Sequence, residues 1–191
     1  MYNSSKIKRF SIDGPVLITP KAFGDDRGAF CEIYRTDVFC EIVGEEVKFL
    51  QDNISVSASA GTVRGLHAQE PPYAVGKLVQ CLHGSIIDVA VDARTDSPTF
   101  GKHVSVMLSA ENRAQLWVPT GFLHGYATQQ DNTSVFYKQT GYYAPGGEIS
   151  VLWDDPDLGI DWNVASDAAV LSAKDANAQY FADFESPFEL L

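Results

Sequence analysis

Long apolar runs are missing from this chain: nothing approaches the ~18 consecutive apolar residues that would cross a bilayer as a helix, and no membrane association is expected. Residues Met1 to Ile18 also lack the apolar core of a signal peptide, so an unexported chain is expected. Basic residues are scarce. Fourteen Lys plus Arg stand against 25 Asp plus Glu, a net charge of −11, which opposes nonspecific attachment to nucleic acid or to anionic lipid. Cysteine occurs only at 31, 40 and 81, with no C-x-x-C pair, which supports neither a disulfide framework nor a zinc finger and suits a reducing cytoplasm. Internal repeats, linkers and low-complexity segments are absent as well. What is present, 191 residues of which 45% are hydrophobic and 20% charged, predicts one domain over 1–191 with a full core. The acidic tail after Ala182 (183–191) is expected to fray.

The middle of the chain reads as short strands separated by turn residues: Val47 to Ser57, Val63 to Gln69, Lys77 to Leu82, Ile86 to Asp92, His103 to Leu108, Gln115 to Val118, Phe122 to Thr128 and Thr133 to Thr140. His83-Gly84-Ser85 predicts a hairpin turn joining the third and fourth, with Val79 and Cys81 on the face of Lys77. Helices are confined to the periphery. Thr36 is placed to cap a segment carrying Phe39, Ile42 and Val43 before Gly44 stops it, and a second helix begins at Ser172. Many short strands at this spacing imply a mainly β, antiparallel sandwich or barrel.

The most informative local feature is Arg64-Gly65-Leu66-His67-Ala68-Gln69, followed ten residues after the histidine by Lys77. Imidazole titrates near neutrality, and two cations beside it suit a site that removes a proton and stabilises the resulting anion. A histidine that merely fills a strand position is the alternative for His67, and a strand-end charge reaching into water is the alternative for Lys77. Tyr137 is either a proton donor or an amphipathic core residue. Asp175, in Ser172-Ala173-Lys174-Asp175, matches a capping box and on its own reads as a helix N3 residue. His67, Glu70, His83 and His124 are the candidates for a metal site, but no H-x-H doublet occurs and His83 falls in a turn. Arg27, Arg64, Gln51, Asn53, His124, Tyr143, Glu148 and Lys174 are candidate anion binders and stacking groups, since a guanidinium forks onto two phosphate oxygens and an aromatic ring covers a base or sugar face.

Taken together, these segments resemble the dTDP-4-dehydrorhamnose 3,5-epimerase family of cupin-fold nucleotide-sugar epimerases. The resemblance runs from about Val16 to Ala178 and includes Phe23-Gly24-Asp25-Asp26-Arg27-Gly28, Gln51-Asp52-Asn53, Arg64-Gly65-Leu66-His67, Gly76-Lys77-Leu78-Val79, Pro119-Thr120-Gly121-Phe122-Leu123-His124-Gly125, Tyr137-Lys138, Tyr142-Tyr143 and Leu171-Ser172-Ala173-Lys174-Asp175. It implies a jelly roll with short peripheral helices that acts without a metal or other cofactor. By position it implies that His67 is the base, Asp175 its orienting partner and Tyr137 the facing acid. It further implies diphosphate or sugar contacts from Arg64, Lys77 and His124, nucleotide contacts from Gln51, Asn53, Glu148 and Lys174, and stacking of thymine on Tyr143. Arg27 and Glu32 are implied to reach a neighbouring subunit's site through an exchanged N-terminal strand, and hence a homodimer.

The implied substrate is a dTDP-4-keto-6-deoxyhexose, whose ketone acidifies C–H at C3 and C5 and places the charge of the carbanion on the C4 oxygen. Lys77 suits that enolate, and inversion requires an acid and a base on opposite faces of the ring. Ile54, Ala68 and Leu123 depart from the residues the family commonly has there. Inversion at C3 alone, as in relatives serving other deoxysugars, is therefore kept as the alternative to inversion at both centres, with a metal-dependent cupin as a more distant one.

Overall fold

Alternating apolar positions give strands one face to bury, and here the central strands Ser85–Asp92, Gln115–Val118 and Phe122–Thr128 bury both while Gln51–Ser57 alternates. The computed structural model describes residues 5–190, and its strands form two facing antiparallel sheets. The first, of six strands, runs in the order β1 (Lys6–Arg9), β2 (Val16–Thr19), β10 (Gln115–Val118), β7 (Lys77–His83), β12 (Thr133–Gln139), β5 (Gln51–Ser57). The second, of five, runs β13 (Glu148–Ser150), β6 (Val63–Gln69), β11 (Phe122–Thr128), β8 (Ser85–Asp92), β9 (His103–Ser109). A separate hairpin, β3 (Ala22–Asp25) with β4 (Gly28–Cys31), stands apart from both. This is the antiparallel β-sandwich expected, of jelly-roll type, with helices only at its margins.

Between the sheets Val79, Cys81, Leu116 and Val135 meet Ile86, Ala90, Leu108, Phe122 and Tyr126. Behind the five-stranded sheet a second cluster joins Leu66, Val89, Val91, Leu123 and Ala127 to Trp153, Trp162, Phe184 and Phe188. The C-terminal segment therefore covers that outer face. Burying each such side chain stabilises the fold by roughly 1.5–3 kcal/mol, which explains why β8 and β11 read as almost continuous apolar runs. The third cluster packs Phe39 of α1 (Thr36–Val43) against Val16, Ile18, Leu78 and Trp117 behind the six-stranded sheet.

Four expectations need correction. His83-Gly84-Ser85 does not close a hairpin: β7 and β8 lie in different sheets, and Gly84 (φ 76°) turns the chain from one to the other with its α-carbon against Thr133. A hairpin pattern and a sheet-to-sheet corner share the same turn residues, and only packing separates them. The tail does not fray over 184–188, because Phe184 and Phe188 are buried and Ser186 Oγ donates to the Ala93 carbonyl. Thr36 is the first residue of α1 rather than its cap; Arg35 holds the cap position with no side-chain hydrogen bond. The strand expected from Val47 begins at Gln51. At the other end of α1 Gly44 adopts the left-handed conformation as expected (φ 82°), and its N–H donates to the Cys40 carbonyl. Among the described residues no helix is long and apolar enough to cross a membrane.

Candidate active site

A strict two-residue period would send Arg64 and His67 to opposite faces of β6. They reach the same cavity because the β6–β11 ladder is irregular: His67 pairs with His124 and Arg64 with Tyr126, so three steps along β6 oppose two along β11. Gly65 (φ 135°) makes this bulge possible. A β-carbon there would lie 2.5 Å from Gly125 Cα, closer than any real contact.

His67 Nε2 lies 2.5 Å from Asp175 Oδ1. Asp175 is buried in the short helix α2 (Ala173–Ala176), and its own N–H donates to Ser172 Oγ at 3.1 Å. The capping geometry and the histidine contact thus coexist, one made by the aspartate's backbone and the other by its carboxylate. Burial alone would raise the Asp175 carboxyl, yet the hydrogen bond and charge of His67 bring it below its ordinary value. A neutral ring donating Nε2–H to this carboxylate keeps the lone pair on Nδ1, which lies 3.8 Å from Glu148 Oε1.

Tyr137 comes from the opposite sheet, on β12, where it pairs with Asn53 of β5 and Val79 of β7. Burial raises its phenol, which therefore stays protonated at neutral pH. Lys77 opens β7 opposite Gln139 and Val118. Desolvation lowers its ammonium to about 8, against the opposing charges of Asp88 and Glu148. His124 Nε2 is 2.8 Å from Asp88 Oδ1, and burial lowers this imidazole although Asp88 counteracts it. Asp88 is fully buried, and its Oδ2 has no hydrogen-bond partner among the described residues. Asp88 favours the protonated forms of Lys77 and His124, against the burial that lowers both.

A cavity of about 300 Å³ is lined by Arg64, His67, Lys77, His124, Tyr137 and Asp175, among others. A second, of about 280 Å³, shares His67, Lys77, Tyr137 and Glu148 with it and extends to Gln51, Asn53 and Tyr143. Polar side chains order this second end. Gln51 donates to Asn53, and Asn53 to Gln139; the Tyr143 hydroxyl donates to Glu148, whose other oxygen is 2.5 Å from Lys174 Nζ. Burial would raise the Glu148 carboxyl, but its bonds to Lys174 and Tyr143 lower it below the usual range.

Of the thirteen residues that the resemblance assigns to the site, eleven therefore line this one double cavity. Arg27 and Glu32 do not. Arg27 sits at the tip of the β3–β4 hairpin, paired with Asp25, and Glu32 lines a different hollow with Tyr34 and Gln115. Sequence reasoning missed Asp88, Gln139, and the Ser55–Tyr126 pair, whose hydroxyls are 2.5 Å apart. Asp88 did carry a signal, a carboxylate with apolar residues on both sides in the middle of β8. The metal candidates do not assemble: among the described residues no three His, Cys, Asp or Glu side chains are grouped to hold an ion.

Fold and pocket define the class: a jelly-roll protein with a polar cavity between its sheets, holding a His–Asp pair on one side and a tyrosine on the other. Residues 9–183 match the model of the dTDP-4-dehydrorhamnose 3,5-epimerase family, and the chain belongs to that family. The dTDP-4-dehydrorhamnose 3,5-epimerase of Shigella flexneri is 49% identical over 168 residues, covering 88% of this chain and 91% of its own. The dTDP-6-deoxy-D-glucose-3,5-epimerase of Legionella pneumophila, solved with dTDP-4-keto-L-rhamnose, superposes with a TM-score of 0.90 at 41% identity over 95% of each chain. A 3'-monoepimerase from Streptomyces bikiniensis, solved with dTDP-quinovose, is 34% identical with a TM-score of 0.84, covering 91% of this chain and 86% of that one.

Proposed function

We propose that this chain is an isomerase that inverts C3 and C5 of dTDP-4-dehydro-6-deoxy-D-glucose, giving dTDP-4-dehydro-L-rhamnose, the 4-keto precursor of dTDP-L-rhamnose. The observation that carries this reading is the placement of His67, bonded to Asp175 of α2, on one sheet and Tyr137 on the other, lining one cavity. His67 takes the proton from carbon next to the ketone, and the electron pair moves to the C4 oxygen. The Lys77 ammonium stabilises that enolate, and the Tyr137 phenol returns a proton to the opposite face. Asp175 holds the imidazole in its acceptor tautomer and stabilises the imidazolium that forms. Once His67 has released its proton to water and Tyr137 has regained one from it, the same cycle at the second carbon inverts both.

Arg64, Lys77 and His124 suit the diphosphate and sugar, while Gln51, Asn53, Glu148 and Lys174 suit the nucleotide, with thymine stacked on Tyr143. The working unit is a homodimer of one-domain chains, in which Arg27 of the β3–β4 hairpin and Glu32 just after it reach the neighbouring subunit's site through the exchanged N-terminal strand. In support, Phe30 of the hairpin is 69% exposed, and Ile54 and Val56 on the edge strand β5 are 62% and 63% exposed. Exposed apolar side chains on a hairpin and on an edge strand suit burial against a second chain. Three free cysteines and the negative net charge agree with a cytoplasmic enzyme that binds neither membrane nor nucleic acid.

Incubation with the 4-keto nucleotide sugar in heavy water, followed by proton NMR, tests the reaction. Deuterium is expected at both C3 and C5. Label at C3 alone would assign the chain to the single-centre epimerases, and no label at either carbon would remove the reading.

A further inference from the structure

Gln69 is a buried polar side chain to which the mechanism above gives no role. It lies two residues beyond His67 on β6 and is 5% exposed. All three of its bonds go to backbone. Its Nε2 donates to the Tyr73 carbonyl at 2.8 Å and to the Tyr142 carbonyl at 3.4 Å, and its Oε1 accepts from the Ala144 N–H at 2.6 Å. The amide thus grips the peptide on either side of Tyr143, in a stretch between β12 and β13 that has no ladder to hold it.

The Tyr143 ring itself is 51% exposed, and its other ties run to residues of the cavity: its N–H donates to Gln51 Oε1 and its hydroxyl to Glu148. A second brace lies on the far side, where Gly147 presses against the Tyr73 ring so closely that a β-carbon would come within 2.7 Å of it. Gln69 is the buried point at which both loops meet the sheet. His67 and Gln69 are two steps apart on one strand, which separates them by roughly 7 Å. One rigid element therefore sets both the proton acceptor and the anchor of the aromatic ring.

We propose that Gln69 is a positioning residue that fixes the Tyr143 ring at a set distance from His67, and so governs how tightly the nucleotide half of the substrate is held while the sugar carbon stays at the base. This rests on the reading of Tyr143 as the surface on which the nucleobase stacks. Gln69 also lines the second cavity, so its action through the loop is separated from contact with the ligand by removing the Tyr143 ring.

A double-mutant cycle on the full chain separates these statements, with dTDP as the titrant in calorimetry. Gln69→Ala should weaken dTDP roughly tenfold, the factor that corresponds to ~1.4 kcal/mol. KM for the 4-keto nucleotide sugar should rise by a comparable factor, while kcat at saturation falls far less. In a Tyr143→Ala background the same change should have almost no further effect. Gln69→Glu keeps the acceptor and the volume but loses both donors, and it should weaken dTDP as well; it serves if the alanine variant does not fold. The proposal is overturned if Gln69→Ala and Gln69→Glu leave dTDP affinity unchanged while Tyr143→Ala weakens it, or if the Gln69 effect persists in full without the Tyr143 ring, which would mean direct contact. Unchanged affinity in Tyr143→Ala would instead remove the stacking reading on which the proposal rests.

Discussion

His67 and Asp175 are 108 residues apart in the chain, yet their Nε2 and Oδ1 atoms lie 2.5 Å apart. The carboxylate does two things for a base: it selects the tautomer and it favours the protonated ring after abstraction. Asp175→Asn keeps the shape and removes the charge. It should lower kcat by about 10²–10⁴, the range for general acid–base groups, with much less effect on dTDP affinity. Solvent exchange measured by NMR on the isolated variant checks this, and wild-type exchange rates would contradict it.

Tyr137 stands across the cavity from that dyad, with its phenol raised by burial. Tyr137→Phe removes only the donor. Wash-in of deuterium, which needs the base alone, should continue at a substantial rate while net inversion slows. The ratio of exchange to product formation is the measurement, and an unchanged ratio would remove Tyr137 as the acid.

On the proposed mechanism Lys77 should set the alkaline side of the pH profile. Its ammonium is lowered from 10.5 to about 8, so the charge that faces the enolate is lost as pH rises through about 8, and kcat/KM should fall there. The stability consequence has the opposite sign. Between about 8 and 10.5 the unfolded chain binds this proton and the folded one does not, so folding becomes more favourable with rising pH in that window. Below it the buried ammonium costs on the order of 3 kcal/mol. Lys77→Met should therefore raise the melting temperature at pH 7 while abolishing turnover. A variant less stable than the parent would show that the lysine is better compensated than its burial implies.

Asp88 supplies part of that compensation from beneath Lys77 and His124. Asp88→Asn should move the alkaline limb of kcat/KM to lower pH, because the ammonium loses its buried counter-charge. A profile that keeps its limb while kcat drops uniformly would assign Asp88 a packing role only.

Gly65 permits the bulge that brings Arg64 and His67 to one side. Gly65→Ala forces a β-carbon to within 2.5 Å of Gly125 Cα and 2.9 Å of the His124 carbonyl oxygen, at a φ of 135°. It should cost roughly 1–3 kcal/mol or more and reduce activity further by misplacing His67. Thermal melting and kinetics together check it, and a folded variant with native turnover would contradict the steric account.

Much of this molecule was legible before folding. The strands from Val63 to Gln139 fall within a residue or so of their expected bounds, since a two-residue period and turn residues are local properties. α1 and its Gly44 stop were readable for the same reason, as was the cap at Ser172. β1, β3, β4 and β13 are three or four residues long and, unlike the equally short β10, bury no residue fully, so they carry no apolar pattern to read. Gly84 misled because a turn records a change of direction and not the partner of the next strand. The fate of the tail was equally hidden: Phe184 and Phe188 look like part of an acidic end until Trp153 and Trp162 are brought beneath them.

By itself the sequence determined the kinds of group available, a histidine, a lysine in an apolar strand, a tyrosine and a capping aspartate, together with the faces on which most strands could bury apolar area. Tertiary structure alone decided which groups share a cavity. The dyad spans 108 positions, the bulge at Gly65 overrides the strand period, and Asp88 acquires its influence from complete burial. Charge and hydrogen bonding act through space over a few ångströms, and distance in space is fixed by how two sheets stack, which no local pattern encodes.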